Sequence, residues 1–316
     1  RRTIQVECLS RYRLNVPKHT THPPSFYYFA ARRKPMSAQL FVVATPIGHL
    51  DDMTYRAIDV LKSVKIIAAE DTRTSAQLLK HFNIQTPLTA CHDHNESNKI
   101  DILIQRLLKG EDMALISDAG TPLISDPGFK LVRAAQEHNI RVIPVPGACA
   151  AIAALSSVGL PSDRFSFEGF LSSKQTQRLA SLEKLKDETQ TLIFYEAPHR
   201  ILDSVSDMAK VFGADRPVGF AREITKTFET IKKMTLGELV EFIANDHHQQ
   251  KGEIVLVVGG ATTEKDMAQE KLDQLLTRLL QDLSVKAASQ LAADLTGIKK
   301  KIAYQRALEL TQDQAE

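Results

Sequence analysis

This 316-residue chain lacks several common signatures, and each absence closes a line of explanation. No apolar run approaches the roughly 20 residues that a membrane-spanning helix needs. The richest stretch, 148–160, is broken by two serines and a glycine, so no membrane partner is expected and the chain reads as soluble. Cysteine is scarce: Cys8, Cys91 and Cys149 are irregularly spaced. Such usage supports neither a disulfide framework nor a four-ligand zinc site, and it suits a reducing compartment such as the cytoplasm. No G-x-G-x-x-G follows the first apolar run, and no G-x-x-x-x-G-K-[ST] occurs anywhere. A nicotinamide-dependent oxidoreductase and a P-loop enzyme therefore lose their main support. G-x-S-x-G and H-E-x-x-H are missing too, which removes the commonest hydrolase signals.

What is present is globular in composition, with 43% hydrophobic and 25% charged residues, and long enough for two domains with a small appendage. The net charge of +2 is unevenly spread. Residues 1–36 hold eight Lys and Arg against one acid, Glu7, a net of +7, which leaves −5 for the rest. An acidic body does not by itself suggest nucleic acid, so an RNA partner would have to be met by a local patch or a separate module. The basic, acid-poor start, with Pro23-Pro24 and an aromatic cluster at 26–29, has the composition of an organelle transit segment. The plainer reading makes Met36 the start of the fold and 1–36 an extension without structure of its own.

From Gln39 onward, strand-like and helix-like runs alternate. Residues 40–44, 65–69, 88–91, 113–116 and 141–145 are short apolar strands, while 55–61, 74–82, 100–108 and 129–137 carry helical spacing. Little polar alternation inside the strands predicts a parallel sheet covered on both faces. After Pro146-Gly147-Ala148 a small-residue helix leads to Gly159-Leu160-Pro161, whose turn chemistry is that of a domain boundary. A second α/β unit follows, with strands at 165–170, 191–195, 218–221, 229–234 and 254–258 and helices near 175–186, 199–211 and 236–244. The alternation at 228–232 predicts a half-exposed antiparallel strand. Helical pieces at 265–282, 285–295 and 299–310 break at Ser284 and Gly297. The expected architecture is two α/β domains, 37–147 and 148–262, with a helical appendage at 265–316.

The stretch Ser117-Asp118-Ala119-Gly120-Thr121-Pro122-Leu123-Ile124-Ser125-Asp126-Pro127-Gly128 stands out. It is longer than the two to six residues usual between strand and helix. Two glycines permit positive φ or close approach, two prolines stiffen it, and aspartates and hydroxyls line it. A ligand cradle is expected there, at the carboxyl end of a strand.

Other clusters admit two readings each. Thr45-Pro46-Ile47-Gly48-His49-Leu50-Asp51-Asp52 sits where a ligand loop would fall, and its acids equally suit the start of a helix. Glu70-Asp71-Thr72-Arg73-Thr74 suits phosphate contact or helix capping. Cys91-His92-Asp93-His94 fits no recognised metal-ligand spacing, and solvated turn histidines are expected there and at His247-His248. Tyr195-Glu196-Ala197-Pro198-His199-Arg200 and Ala221-Arg222-Glu223-Ile224-Thr225-Lys226 follow strands. Their cations could hold phosphates and Glu196 or Glu223 could accept a proton, or all could form a structural ion-pair network.

Six motifs in order then carry a resemblance: T-P-I-G-H-L-D-D at 45–52, A-E-D-T-R at 69–73, S-D-A-G-T-P-L-I-S-D-P-G at 117–128, V-P-G-A at 145–148, F-Y-E-A-P-H-R at 194–200 and A-R-E-I-T-K at 221–226. From about Leu40 to Gly260 the chain resembles the tetrapyrrole methylase superfamily of S-adenosyl-L-methionine-dependent methyltransferases, and within it the branch that acts on RNA. The resemblance implies two α/β domains with the cofactor in the cleft between them, a homodimer, and methyl transfer to the ribose 2′-hydroxyl of a cytidine in 16S rRNA of the small ribosomal subunit. It places cofactor contacts at Pro46, Asp118, Ala119, Gly120, Thr121, Pro122, Gly147, Ala148, Tyr195 and Ala221. A 2′-hydroxyl is a weak nucleophile, so Glu223, Lys226 and Asp71 become candidates to remove or orient its proton. Arg73, Arg200 and Arg222 are the candidates for RNA phosphates. The tetrapyrrole-modifying branch shows G-x-G after the first strand and G-D-P in the central loop; here Thr45-Pro46-Ile47-Gly48 and Ser117 to Pro122 depart from both, which favours RNA. The tail, with Ala287-Ala288-Ser289-Gln290-Leu291-Ala292, Gly297 and Lys299 to Lys301, resembles a helix-turn-helix appendage, though a dimer-packing bundle would look much the same. A tetrapyrrole C-methyltransferase and a non-catalytic RNA-binding protein are the alternatives.

Overall fold

The computed structural model describes residues 38–91, 96–262 and 264–313. The basic N-terminal extension and His92-Asp93-His94 lie outside the described residues. Strands β1 (Gln39–Val43), β2 (Ile66–Ala69), β3 (Leu88–Ala90), β4 (Met113–Ile116) and β5 (Arg141–Val145) form one sheet. Its order is β3-β2-β4-β1-β5, with every neighbouring pair parallel. Helices α1 (Tyr55–Ser63), α2 (Thr72–His81), α3 (Glu96–Leu108) and α4 (Phe129–Glu137) connect the strands. The unbroken apolarity of β4 follows from burial on both faces. Met113 and Leu115 pack with Ile104, Leu107 and Leu131, while Ala114 and Ile116 pack with Ala57, Leu61 and Leu79. Each Leu, Ile or Met among them contributes about 1.5–3 kcal/mol by leaving water.

The second sheet contains β6 (Phe165–Phe170), β7 (Thr191–Glu196), β8 (Pro217–Arg222), β9 (Thr230–Thr235) and β10 (Ile254–Val258) in the order β6-β7-β10-β8-β9. Only β6 and β7 are parallel, and β9 forms an antiparallel edge, as its alternating sequence predicts. Helices α6 (Gln175–Leu185), α7 (Ile201–Phe212) and α8 (Leu236–Asn245) supply one apolar layer against Leu192, Phe194, Phe220 and Leu256. Within that layer Arg178 and Asp207 form a buried ion pair at 2.7 Å, with side chains only 4% and 6% exposed.

The opposite face of this sheet is covered by α5 (Ala150–Ser157). Ala151, Ala154 and Leu155 pack on Ile193, Ala221, Val255 and Val257. A Cβ on Gly219 would lie 2.4 Å from the Val158 Cβ, so strand and helix meet where glycine leaves room. The Gly159-Leu160-Pro161 turn thus separates nothing: the helix before it already belongs to the packing of the second sheet. Small side chains, rather than turn residues, decide where α5 docks.

Three further helices, α9 (Glu264–Leu279), α10 (Val285–Thr296) and α11 (Lys300–Asp313), pack around Leu272, Leu276, Ala288, Ala292, Ala303 and Ala307. Ser284 caps α10 by accepting the Ala287 N–H, and Gly297 ends it at a φ of +73°, which glycine adopts without strain. Arg306 grips Asp273 through two hydrogen bonds of 2.9 Å, joining α11 to α9.

Candidate functional site

The carboxyl ends of β1 and β4 lie side by side, and their loops are tied together. Thr45 and Gly120 exchange backbone hydrogen bonds of 2.9 and 3.1 Å, and Thr121 donates its hydroxyl to the Ala148 carbonyl at 2.9 Å. Gly120 has a φ of +84°, and a Cβ there would press on Ile47 at 3.2 Å. Leu123 and Ser125 also adopt positive φ, of 74° and 69°. Backbone of this kind is costly for non-glycine residues, and it concentrates at ligand sites.

This loop walls a cavity of about 370 Å³, within the range of small-molecule sites. The first sheet contributes Ile47 and residues from Ala119 to Asp126. The second contributes Phe170, Tyr195 to Pro198, and Gly252 to Val255, with Cys149 and Ala150 at the start of α5 closing the remaining side. Tyr195 is held by its hydroxyl, which accepts the Ala151 N–H at 3.1 Å, and by edge-on contacts with Phe167 and Phe170. Desolvation keeps its phenol well above the ordinary tyrosine range.

The cavity is acidic. Asp126, Glu196 and Glu253 line it, and no Lys, Arg or His is among its lining residues. Glu196 is fully engaged, accepting from Ser204 at 2.6 Å, from the Ala197 N–H at 2.7 Å and from Arg200 at 2.8 Å. Glu253 pairs with Lys226 at 3.1 Å. Asp126 differs: its Oδ2 is buried with no hydrogen-bond partner. Burial pushes its carboxyl up to about 6, the nearby Ser117 hydroxyl opposes this, and the charge of Asp118 adds to it.

Of the expected cofactor contacts, Ala119, Gly120, Thr121 and Tyr195 line the cavity. Pro46, Pro122 and Ala221 are buried behind it, Ala221 in the layer beneath α5. Gly147 packs so tightly that a Cβ would meet the Ala44 Cβ at 2.9 Å, and Ala148 supplies the carbonyl that holds Thr121. Asp118 is exposed and accepts the Asp71 N–H at 3.1 Å, joining the loops after β2 and β4. Sequence reasoning missed Asp126 as a distinct group and missed Phe170 and Gly252 to Val255 altogether.

The candidate proton acceptors are less free than their sequence suggests. Asp71 caps α2 and holds Arg73 through contacts of 2.8 and 3.2 Å, chiefly the Arg73 side chain lowering its carboxyl to about 2. At that value it is a weak base. Glu223, at a φ of +52°, accepts Lys226 Nζ and the Glu253 N–H, both at 2.9 Å. Burial alone would raise its carboxyl, but the Glu253 N–H and the Lys226 bond prevail and hold it low. Burial works against the Lys226 charge in the same way, and its bonds to Glu223 and Glu253 prevail, keeping it protonated. An ammonium so held does not accept a proton.

Among the arginines, the expectation of RNA contact at Arg222 is corrected. Its side chain is buried and donates to Gln249, to the carbonyls of Lys251 and Phe228, and to Thr230, so its planar fork is spent inside the fold. Arg200 faces inward to Glu196. Arg73 alone of the three is open, with 90% of its side chain exposed.

Two sheets meeting around an acidic cleft, with a strained loop after the fourth strand, define a class. Residues 39–240 match the family model described as Tetrapyrrole (Corrin/Porphyrin) Methylases, and 266–311 match the RsmI C-terminal HTH domain. The chain is 56% identical over 273 residues to the ribosomal RNA small subunit methyltransferase I of Pseudomonas aeruginosa, covering 85% of this chain and 96% of that one. The protein of the same name from Escherichia coli O157:H7 is 50% identical over 272 residues, covering 86% and 95%. The chain therefore belongs to the tetrapyrrole methylase family, in the group of the ribosomal RNA small subunit methyltransferases I. The fold is shared with solved structures of low identity. Diphthine synthase superposes with a TM-score of 0.55 at 14% identity, over 73% of this chain and 94% of that one. The uroporphyrin-III-C-methyltransferase of Thermus thermophilus gives 0.51 at 17%, over 71% and 95%.

Proposed function

We propose that this chain transfers the methyl group of S-adenosyl-L-methionine to the ribose 2′-hydroxyl of a cytidine in 16S rRNA of the small ribosomal subunit. The observation that carries the cofactor half of this reading is the cavity between the two sheets, walled by the strained loop after β4 and lined by Ala119 to Thr121 and Tyr195. S-adenosyl-L-methionine carries a sulfonium, an ammonium and a carboxylate on a largely apolar adenosyl body, and a concave site that sets a few polar groups among apolar walls suits such a molecule. The group, when bound, supplies an electrophilic methyl on a good leaving group. Ala119 to Thr121 would hold it with backbone groups, and Tyr195 would close over it.

The protein's share of the chemistry is alignment and exclusion of water. Phe170, Tyr195 and Ile124 furnish apolar walls, and the paired Thr45 and Gly120 backbones keep the cradle rigid. The RNA half is supported by the names of the relatives and by the helix-turn-helix match of the tail. Arg73, with most of its side chain exposed, would meet a phosphate, and Lys299 to Lys301 offer further cations on the tail. A homodimer working in the cytoplasm belongs to the same reading.

The test is incubation of the full chain with labelled S-adenosyl-L-methionine and small subunits lacking the modification, followed by mapping of 2′-O-methyl groups. Label on one cytidine ribose, abolished by Asp118→Ala, is expected. Cofactor binding with no label in RNA would move the substrate to a small molecule, with tetrapyrroles tested next.

A further inference from the structure

We propose that Asp126 is the residue that takes the proton from the substrate hydroxyl. This rests on the reading above that a ribose hydroxyl is methylated in this cleft.

The argument is one of availability. A hydroxyl attacking a methyl carbon needs a proton acceptor within hydrogen-bond reach, and a useful acceptor has a free lone pair and a proton affinity near the working pH. Glu196 has both oxygens occupied by Ser204, Arg200 and the Ala197 N–H. Glu253 and Glu223 share the Lys226 ammonium, and Asp71 holds Arg73. Among the described residues lining the cavity, Asp126 alone offers a buried carboxylate oxygen without a partner. Leaving such an oxygen unsatisfied is costly, and it is the kind of cost a reacting group imposes.

The backbone holds Asp126 in place. Ser125 before it has a φ of 69°, Pro127 after it fixes its own φ, and Gly128 has a φ of 117° where a Cβ would press on Leu115 at 2.8 Å. Ser117 and Asp118 at the end of β4 act on its carboxyl, Tyr195 on β7 feels its charge, and Cys149, Glu196 and Glu253 line the same cavity. None is a cation. Desolvation and the Asp118 charge keep the carboxyl near 6, so it is largely ionised at neutral pH yet far more basic than a surface aspartate.

In the step, the hydroxyl oxygen forms its bond to the methyl carbon as its proton passes to Asp126 Oδ2. The carbon–sulfur bond breaks with its electron pair on sulfur. The products are the 2′-O-methyl ribose, neutral S-adenosylhomocysteine and a protonated Asp126, which then returns its proton to solvent.

The experiment compares the full chain with Asp126→Asn and Asp126→Glu. Calorimetry gives the dissociation constant for S-adenosyl-L-methionine, and single-turnover methylation of unmodified small subunits gives the rate against pH. Difference infrared titration of the free protein follows the carboxyl itself. Asp126→Asn should bind S-adenosyl-L-methionine within about threefold of the parent, methylate about 10²-fold or more slowly, and lose both the acid limb of the rate profile and the carboxyl titrating near 6. Asp126→Glu should recover part of the rate. A single-turnover rate within tenfold of the parent would overturn the proposal. So would a loss of affinity for S-adenosyl-L-methionine large enough to account for the whole fall, which would make Asp126 a counter-ion. An unsubstituted chain that binds S-adenosyl-L-methionine and labels no ribose would instead sink the substrate reading, and this proposal with it.

Discussion

Gly48, on the loop after β1, lies against Lys226 on the turn between β8 and β9, so close that a Cβ would fall 2.6 Å from the Lys226 Cγ. The same Cβ would stand 2.6 Å from Thr225 Oγ1 and 3.0 Å from the Ile224 carbonyl, while the His49 N–H donates to Thr225 Oγ1 at 3.0 Å. The backbone of the first sheet's loop thus packs directly against the Thr225 and Lys226 side chains of the second sheet's turn. Gly48→Ala must push the turn away, and overpacking of this kind costs about 1–3 kcal/mol. Because Lys226 pairs with Glu253, which lines the cavity, the expected result is a modestly lower thermal midpoint with a turnover loss of about tenfold or more. Parallel melting and methylation assays check it; unchanged turnover would show that the seam yields freely.

Asp126 makes stability depend on pH. Its carboxyl binds a proton more tightly in the fold, near 6, than in an unfolded chain, where the ordinary value is 3.8. The proton therefore favours the folded state: that contribution is present below about 4 and is lost as pH rises through 6. Asp126→Asn, neutral throughout, should melt higher than the parent at pH 7.5 and closely match it at pH 4. Asp71 works in the opposite sense and in another window, its stabilisation being lost as pH falls from 3.8 towards about 2. Melting curves across pH separate the two.

Asp126 also marks how far the sequence could be read. The strands were legible because each sheet is built from apolar runs bounded by turn residues, and the central loop declared itself by its glycines and prolines. Nothing local distinguishes Asp126 from Asp118 within that loop; packing exposes one and buries an oxygen of the other. Arg222 looked like a phosphate ligand for a similar reason. Its partners Gln249 and Lys251 arrive from 27 and 29 residues away, so its burial is a tertiary fact. The cavity wall at Gly252 to Val255 reads only as the start of a strand, because a strand end carries no mark of what it faces.

Arg178 and Asp207 provide a test of the second sheet's core. With both side chains almost fully buried, removing one partner strands the other charge, at a cost of about 3–5 kcal/mol. Arg178→Met should therefore lower the urea midpoint sharply, since Asp207 would keep only the Gln175 amide at 3.0 Å. The double variant Arg178→Met with Asp207→Leu should recover much of the loss, because a well-packed apolar pair carries no desolvation cost. If the double variant is no more stable than the single, packing of α6 on α7 rather than charge is what the pair maintains.

The tail invites a last separation of roles. Arg306 joins α11 to α9 through Asp273, and its own Glu309 neighbour adds a contact of 2.9 Å. These hydrogen bonds raise the guanidinium above its ordinary range, but the groups are about a third exposed, so screening limits the pair to about 0.5–1 kcal/mol. Arg306→Met should loosen the three-helix unit slightly, whereas Ala303→Leu, which forces a large side chain into a fully buried site, should cost about 1–3 kcal/mol. Neither change touches the cavity, so affinity for S-adenosyl-L-methionine should stay at the parent value in both. If the tail holds the ribosomal subunit, subunit affinity should fall in proportion to the loss of helical order, with Ala303→Leu the weaker binder of the two. Titration calorimetry for the cofactor and filter binding for the subunit give the two numbers. A drop in cofactor affinity would instead mean that the tail supports the cleft.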